Sequence, residues 1–241
     1  MKNFLPLLLA VATAISFPAP SLRADSLGVL IFEDDFERAD GDEPRDKPGK
    51  GWGSNSRTRA AGNKQVFLGD GTMRIRIHEV ADHAVSVTQP AEFADGSIGL
   101  RFLLEEPQDA LGLNFADLEC KEVHAGHLFV AQVSPKKLIL RDLKTGSMRL
   151  DLREARVAGR LGPAEKELIA GKGRVFPIDL NLGEWHDLLV TVEGESLVVR
   201  INGKEAGRFE SEGVAHPTKR LLRLAVPRNA VVDDVKIWRK R

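Results

Sequence analysis

Residues 185–209 read WHDLLVTVEGESLVVRINGKEAGRF. Two short runs rich in Val, Leu and Ile alternate apolar with polar positions, as half-buried strands do. Val192-Glu193-Gly194-Glu195-Ser196 joins a strand over Trp185–Val192 to one over Ser196–Ile201. Asn202-Gly203 then supplies the positive φ angles of a type I′ turn into a third strand over Glu205–Phe209. Three consecutive antiparallel strands are a meander, and this segment sets the class as all-β.

The same punctuation extends outward. Strands are expected over Thr72–His78, Gly96–Leu104, His127–Val133, Lys137–Arg141 and Val231–Trp238, with a turn at Asp142–Gly146. In the first of these, Met73, Ile75 and Ile77 face one way while Arg74, Arg76 and His78 face the other, so one face is buried and one is wet. Leu150–Lys172 breaks the β pattern: it is rich in Ala, Leu, Glu, Lys and Arg, with Pro163 placed for a first helical turn. A short helical insertion is expected there, at about 150–172. Residues 41–56 (GDEPRDKPGKGWGSNS) read as a polar surface loop.

The chain opens with Lys2, an apolar run from Phe4 to Phe17 and a small-residue stretch ending at Ala24. This is a signal-peptide pattern, too short for a bilayer span, so residues 1–24 are expected to be removed and 25–241 to form one exported domain, secreted, periplasmic or in the cell envelope. Removal takes away Lys2 and Arg23, leaving 33 basic against 35 acidic residues, a charge of −2. That balance argues against nucleic acid as a partner, and no later segment reads as membrane-spanning. Cys120 is the single cysteine, so no intrachain disulfide can form and the core must carry stability.

Asp34-Asp35-Phe36-Glu37-Arg38, Gly183-Glu184-Trp185-His186 with the strand pair ending in Ile201-Asn202-Gly203-Lys204, and Val232-Asp233-Asp234-Val235-Lys236-Ile237-Trp238 occur in that order along the chain. Together they resemble the concanavalin A-like lectin and glucanase superfamily, nearest its laminin-G, laminarinase and 3-keto-disaccharide hydrolase group. The resemblance implies a jelly roll of two antiparallel sheets whose concave face holds sugar in carbohydrate-active relatives. It implies no catalytic pair, because the laminarinase-like string Glu-x-Asp-x-x-Glu is absent. The nearest candidate, Asp117-Leu118-Glu119-Cys120-Lys121-Glu122, differs in order and spacing.

Candidate site residues follow from local chemistry. Asp117 and Glu119 are two apart, so on a strand their carboxylates project from one face and could act as acid and partner in glycoside cleavage. His124 and His127 lie close by and could bind sugar or metal, or stand as polar groups at a turn. Trp52, Arg76 and His78 are candidate substrate-binding residues, Trp52 being either a stacking platform or a core plug; Trp185 and Trp238 are expected in the core. Acidic pairs at both ends offer oxygen ligands for calcium, with Asp35 and Asp233 the candidates. Such a site on the convex face is also what the resemblance implies. The function expected is hydrolysis of a glycosidic or 3-keto-glycosidic bond outside the cytoplasm, against the alternative of a non-catalytic glycan-binding or structural envelope module.

Overall fold

The computed structural model describes residues 27–41 and 44–241; the expected signal peptide lies outside them. Fifteen strands make two antiparallel sheets packed face to face. They are β1 (Val29–Asp34), β2 (Gly53–Ser54), β3 (Val66–Gly69), β4 (Thr72–Arg76), β5 (Val85–Phe93), β6 (Gly96–Leu103), β7 (Leu111–Ala116), β8 (His127–Ser134), β9 (Lys137–Asp142), β10 (Gly173–Pro177), β11 (Trp185–Glu193), β12 (Ser196–Ile201), β13 (Lys204–Glu210), β14 (Lys219–Val226) and β15 (Asn229–Arg239). One sheet runs β13-β12-β11-β6-β15-β4-β3, with β1 also on β15; the other runs β10-β9-β8-β7-β14-β5-β2. The expected sandwich is what the chain forms, and Asn202 and Gly203 have the expected positive φ, 51° and 78°.

The core lies between the sheets. Alternation sends Leu188, Val190 and Val192 of β11 and Leu113 and Phe115 of β7 inward, each contributing about 1.5–3 kcal/mol of transfer free energy. Phe115 stacks on Phe129 at 4.6 Å and meets Phe93 edge-on at 6.1 Å.

Three expectations are corrected. Residues 41–56 are not simply a surface loop: Trp52 is buried, Gly53–Ser54 pairs with β5, and Ser56 opens the one-turn helix α1 (Ser56–Arg59). Trp185 and Trp238 are not core residues but half-exposed on the outer face of the eight-stranded sheet. In β11 the parity that buries Leu188 and Val190 also buries His186, whose ring lies 5.6 Å from Phe102, and this turns Trp185 outward. The helical segment is two helices, α2 (Leu150–Val157) and α3 (Pro163–Gly171), with Leu152 their one buried side chain.

Candidate functional site

Pairing across the seven-stranded sheet lines up one residue from every strand: Gly173, Arg141, Val130, Asn114, Arg223, Thr88 and Gly53. This row points away from the core, since its neighbours along the strands, such as Leu113, Ala131 and Leu224, are buried between the sheets. Yet on β7 the outward residues Gly112, Asn114 and Ala116 are buried as well. The central strand of this sheet is therefore covered on both faces, with His127 lying over Asn114 and Arg223 beside it.

His127 reaches this outer face through a β-bulge. Phe115 opposes Phe129 while Ala116 opposes His127, so Leu128 is an extra residue and the parity of β8 shifts there. Without the shift, His127 would share the inward direction of Phe129. Its Nδ1 lies 3.1 Å from Asn114 Oδ1 and 3.3 Å from the Arg223 guanidinium. Burial, reinforced by the positive charges of Arg223, His124 and His83, pushes the imidazole pKa down to about 4. His127 is therefore a neutral ring at neutral pH. His124 opens a short 3₁₀ turn, His124–Gly126; burial and then Arg153, Arg156 and Arg223 lower its pKa too.

Asp117 and Glu119 do not project from one face of a strand, because β7 ends at Ala116. Asp117 instead closes an Asx turn, its Oδ1 accepting the Glu119 N–H at 2.9 Å. Its Oδ2 accepts from Arg220 at 2.7 Å and from His216 Nε2 at 2.9 Å. Burial alone would raise the carboxyl pKa, but the hydrogen bonds from His216, the Glu119 N–H and Arg220 outweigh it and hold the group below its ordinary value. The turn packs tightly: a Cβ on Gly126 would lie 2.3 Å from the Asp117 carbonyl oxygen. Glu119 is exposed and 3.1 Å from Arg220, so one guanidinium spans both carboxylates at the rim. Cys120 is partly buried against the core.

The remaining candidates lie elsewhere. Trp52 is a core plug: its indole N–H donates to Asp34 at 2.8 Å, and its ring meets Phe32 and Phe36. Arg76 and His78 belong to the β4 side of the other sheet, around a hollow of about 290 Å³ shared with Lys64, Phe67 and Glu79; they do not meet Asp117, Glu119, His124 or His127. Asp35 follows β1 and Asp233 lies within β15, and the two strands pair, Asp34 opposing Val235. Asp233, however, is engaged by Arg101 and by the Asp234 N–H, and Asp35 is exposed beside Lys50. Among the described residues no three His, Cys, Asp or Glu side chains group in a way that could hold a metal ion, so these residues do not fit a calcium cage.

Sequence reasoning missed Arg220, His216, Arg223 and Asn114. For Arg223 the signal was available: in Lys219–Val226, Leu222, Leu224 and Val226 alternate with Arg223 and Ala225, marking Arg223 as outward on a half-buried strand.

Solved structures share this architecture. The laminarinase from Rhodothermus marinus superposes with a TM-score of 0.57, covering 88% of this chain and 97% of its own at 12% identity. A GlcNAcα1-4Gal-releasing endo-β-galactosidase from Clostridium perfringens gives 0.59 over 93% of this chain and 66% of that one at 8% identity. The carbohydrate-binding module CBM66 from Bacillus subtilis gives 0.50 over 78% and 95% at 11% identity. The fold is therefore the concanavalin A-like jelly roll. No protein-family model and no curated protein sequence matches the chain. Among the described residues no helix is long and apolar enough to cross a membrane.

Proposed function

We propose that the protein is an exported carbohydrate-binding protein that lays a glycan along the outer face of its seven-stranded sheet. The observation carrying this reading is the polar cluster on that face, where Arg223, His127 and Asn114 meet over β7 and the Arg223 side chain is only partly buried. A few convergent polar groups of this kind fix a ligand's orientation and specificity. Proteins of the same fold include a carbohydrate-binding module and glycan-cleaving enzymes, which supports a carbohydrate ligand.

Binding is favoured over cleavage because carboxylates are scarce on this face. Glycoside hydrolysis ordinarily needs two, one on each side of the scissile bond. The strands of this sheet carry only Glu92 and Asp142, and Asp142 is buried, accepting from Thr145, Ser211 and the Gly213 N–H.

Hydrolysis of a glycosidic or 3-keto-glycosidic bond is the second reading, and it draws on Arg220 joining Asp117 and Glu119 at the rim. In that version Glu119 is the acid or base, Asp117 its charged partner, and His124 or His127 contacts the sugar. A glycan array, followed by incubation of each retained glycan with the protein, separates the two. Retention without cleavage is expected. Cleavage abolished by Glu119→Gln would replace binding with hydrolysis, and retention of no glycan would overturn both. Export is checked by N-terminal sequencing of secreted material, expected to begin near Asp25.

A further inference from the structure

Charge is distributed unevenly over this chain. It carries 35 basic and 35 acidic residues, yet the outer face of the seven-stranded sheet gathers cations with few anions. Arg223 stands at its centre. Its guanidinium is desolvated, and burial pushes its pKa down. Its partners are neutral: the Ala125 carbonyl at 2.7 Å and the His127 ring at 3.3 Å. Among the described residues no carboxylate lies within ion-pair distance of it. Two other buried charges of the fold are paired, while buried Asp109 and Asp142 are held by neutral donors. Asp34 is matched by Arg38 and Lys50, and Asp117 by Arg220. Lys219 also lacks a carboxylate at contact, but it is sealed inside the core with its ammonium donating to the Ala94 and His216 carbonyls. Among the described residues Arg223 is the desolvated cation that stays partly exposed on a sheet face with no carboxylate beside it. A charge withdrawn from water without a counter-charge is costly, and a bound anion removes that cost.

The surroundings extend the field. Arg141 stands on the same cross-strand row, three strand spacings and so about 14 Å from Arg223 at the backbone. Arg153 and Arg156 of α2 are close enough to act on His124 together with Arg223. Beyond them a cavity of about 380 Å³ opens between α3 and the β9–β10 pair, lined by Arg141, Arg156, Arg174 and Lys172. Its single carboxylate, Asp142, is already bound by Thr145, Ser211 and Gly213. Arg141, Arg153, Arg156 and Arg174 form no ion pair among the described residues, whereas Lys172 pairs with Glu212.

We infer that the outer face of the seven-stranded sheet binds an acidic polysaccharide, with Arg223 receiving a uronate carboxylate or a sulfate ester and Arg141 receiving a second anion further along the same chain. This rests on the glycan-binding reading above and names its ligand class. Guanidinium forks match the planar geometry of carboxylate and the oxygens of sulfate. One small anion cannot reach two arginines about 14 Å apart, so the ligand is a polymer with repeating charge. A polysaccharide is favoured over a nucleic acid because solved structures of this fold include a carbohydrate-binding module and glycan-cleaving enzymes.

The test uses the purified mature chain in affinity electrophoresis through gels containing a polyuronate, a sulfated galactan or a neutral β-glucan, with a single-stranded DNA oligonucleotide as the fourth ligand. Retardation by at least one acidic polysaccharide and not by the neutral glucan is expected, weakening as salt rises. The first two gels separate carboxylate from sulfate. Arg223→Gln should weaken retardation about 10- to 100-fold, as loss of a charge-assisted hydrogen bond does, with its melting curve recorded to confirm folding. If that variant does not fold, Arg141→Gln, at an exposed position, should still weaken binding. Equal retardation by neutral glucan, insensitive to salt and to both substitutions, would overturn the charge inference while leaving glycan binding intact. Preference for DNA would overturn it in favour of nucleic acid, and retardation by no glycan would remove the reading on which it rests.

Discussion

Arg220 donates to Asp117 at 2.7 Å across the gap between the end of β7 and the start of β14. Asp117 is thereby a brace between two neighbouring strands and the turn that follows the first of them. Glu119 shares the same guanidinium but stands in solvent. Two carboxylates two residues apart thus have separate consequences.

Replacing Asp117 with Asn puts an amide N–H₂ or a single oxygen where Arg220, His216 and the Glu119 N–H all donate. At least one buried donor loses its acceptor, which costs about 1–3 kcal/mol. Glu119→Gln should change stability by no more than about 0.5 kcal/mol, as exposed substitutions do. Urea midpoints of the two variants measure the difference. Equal midpoints would show that Asp117 is not a brace.

The acid limb of stability should report His127. Its folded pKa of about 4 lies below the ordinary 6.5, so between those values the unfolded chain binds more protons than the native one. Stability then rises with pH across that window and is lost as pH falls from about 6.5 towards 4, on the order of 3 kcal/mol in all. Below the window the lowered carboxyls of Asp34 and Asp117 add to the loss. His127→Gln should flatten the slope between pH 6.5 and 4. An unchanged slope would mean another group titrates there.

Strand positions were legible because alternation of apolar and polar residues is a local property that the pleat enforces. What escaped the sequence was mostly parity and register. The Leu128 bulge, which turns His127 onto the outer face, leaves no compositional mark, since Leu suits either face. Trp185 and Trp238 were expected inside on account of their size, but in β11 and β15 parity decided, and it gave the inward places to His186 and Ile237. Asp117 read as a strand residue because its turn is set by a side-chain hydrogen bond rather than by Gly or Pro. Arg223 and Arg141 are 82 positions apart in the chain and share one sheet face only because β7 and β8 lie between β14 and β9.

A chelator is expected to leave thermal stability unchanged. The buried carboxylate of the terminal strands, Asp34, is already neutralised by a two-point ion pair with Arg38 and by Lys50, and it also accepts from the Trp52 indole. A divalent cation would have to displace those donors. Asp34→Asn, in contrast, should lower the melting temperature, because Arg38 and Trp52 lose a charged acceptor at the core boundary. Melting of the wild type with EDTA and with added calcium checks the first statement. A calcium-dependent rise would place a cation at Asp35 and Asp233 after all.

The alkaline limb should run opposite to that of most proteins. Lys219 is almost fully buried, and its ammonium donates to the Ala94 and His216 carbonyls and sits 5.8 Å from the Phe129 ring centre. Burial lowers its pKa to about 8; Asp95 works against the shift, and Arg241 and Lys144 work with it. Below that value both native and unfolded chains hold the proton, and stability carries the full cost of burying the charge. Between about 8 and the ordinary 10.5 the native chain has released the proton while the unfolded chain keeps it. Stability therefore rises with pH across this window, by on the order of 3 kcal/mol. The chain contains no tyrosine, so no phenol titrates over the same range to obscure the rise. Urea midpoints at about pH 7.5 and pH 10 should show it in the wild type, and Lys219→Met should abolish it whatever that change does to stability at neutral pH. A wild-type midpoint that falls over the interval, or a rise retained in Lys219→Met, would assign the proton to another group.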